Sequence, residues 1–275
     1  MAYFLIVVEG PHDAAFIGRL LAENGLTKVR LRNSVDDYWA PLIPTQFPAN
    51  PQGRLDHVVR FPDIYETADP HLTSVAIAVA GGDSRLIPEV QASLEILDVA
   101  LLGGVALVSD ADDIGVDARF QRLNDGLNRV NAESVADELR GFPLILPPAA
   151  GSVSAGAPRV GIHIFPDNKH EGTLERVLLE CGKTSYAPYC DPAIEFVNTI
   201  DASRPQNVAE LENLRAGSGR DKAAAATVGG ILFPGSSLAV SIEQGSWLNP
   251  LSGTEVGVAS ARSFLAQFLG TPLAE

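Results

Sequence analysis

The fold is decided by the stretch Gly103-Gly104-Val105-Ala106-Leu107-Val108-Ser109-Asp110-Ala111-Asp112-Asp113-Ile114-Gly115. Five apolar or small residues, 105–109, follow a glycine pair, and this pattern predicts a buried strand of a parallel sheet. Three aspartates in four positions come next, and an amphipathic run with helical spacing follows them. Because ligands of open α/β sheets bind just outside the carboxyl ends of strands, the stretch predicts an α/β fold with a site at these aspartates.

The spacing of Asp110 and Asp112 lets both side chains point toward the same spot from an extended loop. Two carboxylates held that close repel each other unless a cation or a shared proton neutralises them. Hard oxygen ligands favour Mg²⁺ or Mn²⁺ over zinc or copper. The alternative interpretation is a solvated acidic loop that caps the following helix.

A second acidic residue, Glu9, follows the first predicted strand, 3–8. A helical pattern covers 14–21, so the first unit is a strand, an acidic turn and a helix. Asp13 has an ordinary interpretation as a helix N-terminal residue. Gly10 and Pro11 separate Glu9 from that helix, which favours a functional role for Glu9 on the same sheet edge as Asp110.

Two more buried strands end in polar turns. Residues 75–80 precede Gly81-Gly82-Asp83-Ser84 and a helix from about 85 to 97. That turn is either a phosphate cradle, since it places backbone amides at a helix start, or only a tight connection. Residues 160–165 precede Asp167, Asn168 and, in the first turn of the next helix, Glu175. The helix dipole alone would favour Glu175 there, so its structural and functional interpretations both stand.

The remaining chain divides into an insertion and a helical part. Residues 28–72 are irregular, with six prolines and a short strand-like piece at 57–61, and we expect an insertion folded against the sheet. A further strand is expected at 143–146. We expect an α/β core over 1–182 and a helical extension packed on it over 183–275, with helices at 192–200, 208 to about 228 and 255–269.

The segment 217–222, Gly-Ser-Gly-Arg-Asp-Lys, is not a P-loop, because its spacing is wrong and no buried strand precedes it. Lys222 nevertheless supplies a cation that could serve a phosphate.

Composition narrows the function. The formal net charge is −14, and such a surface repels phosphate backbones, so a phosphate substrate needs bound metal, a local basic patch or a basic partner. Two cysteines exclude a disulfide framework and a four-cysteine zinc site. The amino terminus has a strand pattern rather than a signal peptide, and no apolar run is long enough to span a bilayer. We therefore expect a cytoplasmic protein without a membrane partner.

A known signature joins the two acidic turns. Glu9-Gly10 after one strand and Asp110-x-Asp112-x-x-Gly115 after a later strand resemble the signature of Toprim domains, which occur in topoisomerases, bacterial primases and OLD-type nucleases. The block Gly161…Phe165-Pro166-Asp167-Asn168…Gly172…Leu174-Glu175, with Asp221-Lys222-Ala223, is similar to a Toprim-related family of uncharacterised prokaryotic proteins. The resemblance implies a Toprim-like Rossmannoid fold with a mostly parallel sheet flanked by helices.

The resemblance also implies an activity. A topoisomerase needs a separate strand-passage domain, for which 275 residues leave no room, and a primase normally carries a zinc ribbon. What remains resembles an OLD-type, metal-dependent nuclease that cleaves DNA or RNA phosphodiesters. No Walker motif is present, so an ATPase partner would act in trans.

The candidate roles in such an activity fall on ten residues. Asp110 and Asp112 would hold Mg²⁺ or Mn²⁺, with Glu9 as a further ligand or as general base. Asp167 and Glu175 are candidates for a second ion, and Lys222 for stabilising the developing charge. The candidates for binding phosphate are Gly10, Gly82, Asp83 and Asn168.

Two other classes of function remain open. One is a non-catalytic metal-binding or regulatory module that works through contact with a partner. The other is a small-molecule phosphohydrolase with an aspartyl nucleophile. Against the second, that chemistry usually places its aspartate loop after the first strand, where this chain has Glu9.

Overall fold

A single mixed sheet organises the protein. The computed structural model describes residues 2–45, 61–68, 73–205, 208–248 and 255–270. The strands within them are β1 (Ala2–Val8), β2 (Leu26–Lys28), β3 (Asp63–Thr67), β4 (Thr73–Val79), β5 (Leu102–Asp110) and β6 (Arg159–Phe165). Their order is β2-β3-β4-β1-β5-β6, in which β4, β1, β5 and β6 run parallel to one another and β3 pairs antiparallel with both of its neighbours, β2 and β4. The predicted mostly parallel sheet is confirmed.

Helices cover both faces of this sheet. Those in the described residues are α1 (Pro11–Glu23), α2 (Leu86–Ile96), α3 (Val116–Ala136), α4 (Leu174–Ser185), α5 (Ala187–Ala202), α6 (Glu212–Arg215), α7 (Gly219–Leu232), α8 (Leu238–Gln244) and α9 (Val256–Leu269). The helices α1, α4, α5, α7, α8 and α9 contribute to the core on one face, and α2 and α3 to the core on the other. Burial on both faces explains why β1 and β5 are continuous apolar runs rather than alternating ones.

The topology creates a crevice at the carboxyl ends of β1 and β5. These strands are neighbours, yet α1 leaves β1 toward one face of the sheet and α3 leaves β5 toward the other. Such a divergence of connections leaves room for ligands in open α/β sheets. Glu9 follows β1 directly and Asp110 is the last residue of β5, so both lie at this crevice.

The carboxyl-terminal helix α9 shares the core of the sheet. A Cβ atom at Gly104 of β5 would lie 2.6 Å from the ring of Phe268, and one at Gly161 of β6 would lie 2.8 Å from the ring of Phe264. Glycine at these positions therefore lets α9 approach the strands closely. The division of the chain at residue 182 stays a prediction.

Two local expectations differ from the structure, and a third lies almost wholly outside the described residues. No strand forms at 143–146, because the backbone of Leu144 bonds with the Asn131 side chain, as donor at 2.7 Å and as acceptor at 2.9 Å. The helix expected over 208–228 is broken into α6 and α7 by Gly217, whose φ of +46° suits glycine. The strand-like piece at 57–61 lies outside the described residues except for Phe61, and the insertion contributes β3 further on.

In the part of the chain that the structure describes, no helix combines the length and the apolar character needed to cross a bilayer.

Candidate functional site

Glu9 joins the ends of three strands. Its Oε1 accepts a short hydrogen bond from the Ser109 hydroxyl and a second bond, at 3.0 Å, from the amide of Asp110. Its carbonyl oxygen accepts bonds from the amides of Gly81 and Gly82, just after β4, at 2.9 and 3.0 Å. Burial raises the pKa of Glu9, although these side-chain bonds and the nearby Arg119 act in the opposite direction. The structure thus brings Glu9 and Asp110 together, as the sequence predicts.

Asp110 lies at the bottom of the crevice, with 8% of the residue exposed. Its Oδ1 accepts a 2.9 Å hydrogen bond from the amide of Leu174, the first residue of α4. Burial raises its pKa well above the ordinary aspartate value, and the charges of Asp13, Glu9 and Glu175 raise it further. Several carboxylates therefore compete for ionisation in one small volume.

Asp13 belongs to this cluster, although its position in the sequence predicts only a role at the N-terminus of a helix. The capping role is real, because Asp13 Oδ2 accepts a 2.7 Å bond from the amide of Gly10. The side chain is also buried, and burial followed by the charges of Glu9 and Glu175 raises the pKa of Asp13 to about 7. Asp13 lies in the first turn of α1, directly after the acidic turn that carries Glu9, and this closeness in sequence was the signal that could have placed both at one site.

Glu175 completes the buried carboxylates. Its Oε1 lies 3.1 Å from His12 Nδ1, and its Oε2 accepts a 2.9 Å bond from the Thr173 hydroxyl. Burial alone would raise the pKa of Glu175, but these hydrogen bonds and the charge of Lys222 outweigh it and lower the pKa. Glu175 is therefore the carboxylate of this group that the protein keeps ionised most readily.

Asp167, the other candidate for a second ion, bonds within its own loop. It accepts bonds from the amides of Lys169 and His170 at 3.1 and 2.9 Å, and its Oδ2 lies 2.7 Å from His170 Nδ1. Burial would raise the pKa of Asp167, but these bonds together lower it. Its role as a metal ligand stays a prediction.

Asp112 is held by an arginine that the sequence analysis did not single out. Arg119 of α3, 3% exposed, donates from Nη2 to Asp112 Oδ2 at 2.8 Å and from Nη1 to Asp83 Oδ2 at 2.7 Å. Arg122 also donates to Asp83 Oδ2, at 2.9 Å. The bond from Arg119 is the main cause of the lowered pKa of Asp83. No linear motif marks Arg119, since its partners come from two separate loops.

Lys222 lies in the first turn of α7, near enough to the buried carboxylates for their charges to act on it. Burial lowers its pKa, but the negative charges of Asp110, Glu175, Asp112 and Glu9 outweigh burial and raise the pKa overall. The break at Gly217 positions this helix, because a Cβ there would lie 2.8 Å from Asp113 Oδ2. Helix α7 thus brings the positive charge of Lys222 near the carboxylates of the crevice.

The candidates for binding phosphate already have partners within the protein. The amide of Gly10 bonds Asp13, and the amide of Gly82 bonds the carbonyl of Glu9. Asn168 has a φ of +66°, and its Oδ1 accepts a 2.7 Å hydrogen bond from the amide of Ile164. Its Nδ2 contacts the side chains of His163 and Ser260. Asp83 is engaged by Arg119 and Arg122. Phosphate binding by these four residues stays a prediction.

The donor chemistry of the crevice suits a hard divalent cation. Its candidate ligands are all carboxylates, and clustered carboxylates destabilise one another until a positive charge neutralises them. Among the described residues, no group of three or more His, Cys, Asp or Glu side chains stands in an arrangement that could hold a metal ion as it is. Burial is the main cause of the raised pKa values of Asp110 and Asp13, and the neighbouring carboxylates raise both further.

Comparison with known proteins gives a family. A family model described as protein of unknown function (DUF3226) matches residues 3–252, so the chain belongs to that family. A crystal structure of a hypothetical protein from Pyrococcus horikoshii OT3 is similar at 16% identity over 98% of this chain and 95% of that chain, with a TM-score of 0.47. That likeness is too weak to carry an argument. No curated protein matches the sequence significantly.

Proposed function

We propose that this DUF3226 protein is a Toprim-like, Mg²⁺- or Mn²⁺-dependent nuclease that cleaves DNA or RNA phosphodiesters, either alone or with an ATPase partner acting in trans. The observation that carries the proposal is the pairing of Glu9 with Asp110. They follow neighbouring parallel strands, and the Asp110 amide donates to the Glu9 carboxylate at 3.0 Å. This is the acidic pair of the Toprim-like signature, located where the fold leaves room for a ligand.

The proposed cation would be held by carboxylates of the crevice. Asp110, Asp112 and Glu9 are the proposed ligands. Glu175, whose charge acts on Asp110, is proposed as an additional ligand. When bound, Mg²⁺ or Mn²⁺ supplies a Lewis acid for the phosphoryl oxygen and lowers the pKa of bound water. The cation also offsets the repulsion between a chain of net charge −14 and a nucleic-acid backbone.

The chain's own residues would position water and stabilise charge. Both hydrogen bonds described for the Glu9 carboxylate end on Oε1, which orients Oε2 as the oxygen that accepts a proton from the attacking water. Burial raises the pKa of Glu9, and this makes its carboxylate a stronger base than an exposed glutamate. Lys222 stabilises the negative charge that develops on the transferred phosphoryl group.

The test is a cleavage assay with a matched control. Labelled single- and double-stranded DNA and RNA are incubated with Mn²⁺ or Mg²⁺, with and without ATP and native cell extract as a source of the ATPase. We expect cleavage by the wild type, its loss in Glu9→Gln and Asp110→Asn, and its retention in Glu95→Gln, which removes one exposed carboxylate from α2. Lys222→Ala should slow cleavage by roughly 10²- to 10³-fold, as for a lost oxyanion donor.

Two results would count against a nuclease. Cleavage that continues unchanged in Glu9→Gln would come from a contaminant. A silent wild type under every condition would favour the alternative of a non-catalytic regulatory module. One observation supports that alternative, namely that Arg119 already neutralises Asp112 without any metal.

A further inference from the structure

Arg119 connects two loops at the carboxyl edge of the sheet. One guanidinium nitrogen donates to Asp83 in the loop after β4, and another donates to Asp112 in the loop after β5. We call this Asp83–Arg119–Asp112 arrangement the arginine bridge. The arginine is nearly inaccessible, whereas about a third of each aspartate side chain is exposed, at 35% and 36%. Solvent and ions therefore reach the bridge from the carboxylate side.

Asp112 is held through both its backbone and its side chain. Its backbone pairs with Gly172, donating at 2.9 Å and accepting at 3.2 Å, and its φ of +48° is unusual for a residue other than glycine. Its side chain is held by Arg119 at 2.8 Å. The orientation of the second aspartate in the Asp-x-Asp pair is thus set by a protein cation.

The guanidinium itself is incompletely satisfied. Its Nε is buried and has no hydrogen-bond partner among the described residues. A buried charge is stabilised by its ion pairs, so the two aspartates are what hold Arg119 in place. Any cation that takes Asp112 must compete with a fixed positive charge.

We propose that the arginine bridge is a latch, in which Arg119 competes with a divalent cation for the Asp112 carboxylate and so weakens cation binding until the bond opens. The proposal rests on the cation centre of the proposed function. Arg119 is a positioning residue in this account, since it acts through Asp112 and keeps hold of Asp83 when Asp112 is released.

A neighbouring arginine provides a matched control. Arg122 bonds the same oxygen of Asp83 but is 53% exposed and makes no described contact with Asp112. Arg119→Met and Arg122→Met remove the same charge from the same helix, and only the first frees Asp112. Arg119→Lys keeps the charge but loses the planar fork that spans two carboxylates.

The experiment is calorimetric titration of the purified protein with Mn²⁺, with folding checked by circular dichroism. We expect Arg119→Met to bind Mn²⁺ about tenfold or more tightly than wild type, because it no longer has to break a charge-assisted bond. Arg122→Met should change the affinity by less than roughly threefold, since exposed charges are screened. Arg119→Lys should fall between wild type and Arg119→Met, and it carries the test if the methionine variant does not fold.

A double variant isolates Asp112. In Arg119→Met with Asp112→Asn, the gain in Mn²⁺ affinity should disappear. Equal affinities in Arg119→Met and Arg122→Met, or a gain that survives Asp112→Asn, would overturn the latch and leave the cation centre standing. Absence of Mn²⁺ binding in every variant would overturn both proposals, whereas binding that begins only when Arg119 is replaced would support the latch and count against a cation centre in the wild type.

Discussion

A single side chain, Asp13, combines a helix cap with a buried charge. Its carboxylate caps the amide of Gly10 while burial and neighbouring carboxylates raise its pKa to about 7. A carboxyl whose pKa is higher in the fold than in the unfolded chain stabilises the protein in its protonated form. That contribution is complete below the ordinary pKa of 3.8 and is lost as the pH rises through about 7.

Replacing Asp13 by Asn should therefore stabilise the protein, and more so at pH 8 than at pH 5. The amide oxygen of Asn can still accept the Gly10 bond, but the ionisation cost is gone. We expect the gain at pH 8 to exceed that at pH 5 by about 1–3 kcal/mol. Urea unfolding at both pH values without divalent cations measures the difference between the two proteins. A change in stability that is the same at pH 5 and pH 8 would contradict a titrating Asp13.

His163 of β6 predicts the opposite dependence on pH. Burial lowers its pKa to about 3, and the ring packs against Phe165 and Phe264. Between about pH 3 and the ordinary pKa of 6.5, His163 is protonated in the unfolded chain but neutral in the folded protein. Its contribution therefore lowers the free energy of unfolding as the pH drops below 6.5.

His163→Phe keeps an aromatic ring and removes the titration. We expect the variant to lose less stability than wild type between pH 7 and pH 4.5, even if the lost contact with Asn168 lowers its stability at pH 7. Denaturation curves at the two pH values provide the comparison. Equal losses of stability in the two proteins would show that His163 does not cause the loss of stability at low pH.

At the scale of elements, the contact of α9 with β5 depends on Gly104. A Cβ there would lie 2.6 Å from the Phe268 ring, whereas a Cβ at Gly230 of α7 would meet nothing within 4 Å. Gly104→Ala should lower the free energy of unfolding by about 1–3 kcal/mol through overpacking. Gly230→Ala should raise it by about 0.4–1 kcal/mol by restricting the unfolded chain. Chemical denaturation tests both, and a neutral Gly104→Ala would mean that α9 adjusts without cost.

The elements differ in how well the sequence predicts them. The strands β1 and β5 and the helices α2 and α9 follow from apolar runs and helical periodicity, because their burial is set by the sheet itself. The region 143–146 looks like a strand, yet a side chain 13 positions away in sequence captures its backbone. Such a competition between partners is invisible to a local pattern.

The site was predictable to a similar degree. The ends of parallel strands lie on one edge of a sheet, and this rule predicts a shared edge for Glu9 and Asp110, whereas the adjacency of β1 and β5 that brings them together is known only from the structure. The arginine bridge depends on the directions in which α3 and the loop after β4 leave the sheet, which no spacing in the chain encodes. The second role of Asp13, as a member of the buried carboxylate cluster, is not predicted, because helix capping already explains an aspartate at this position.

On the scale of the whole molecule, charge and topology act together. A chain of net charge −14 concentrates carboxylates at the one sheet edge where connections diverge, with Lys222 and Arg119 as the cations described around them. Repulsion among these carboxylates makes the crevice a place where a divalent cation would be stabilised.

Anomalous X-ray diffraction at the manganese edge, from crystals soaked in Mn²⁺, tests directly whether the crevice binds a divalent cation. We expect an anomalous peak in the crevice at the ends of β1 and β5, beside the Glu9 and Asp110 carboxylates, and its disappearance in Asp110→Asn crystals soaked in the same way. A peak elsewhere on the molecule, or an empty crevice at saturating Mn²⁺, would contradict a cation-dependent centre at these residues.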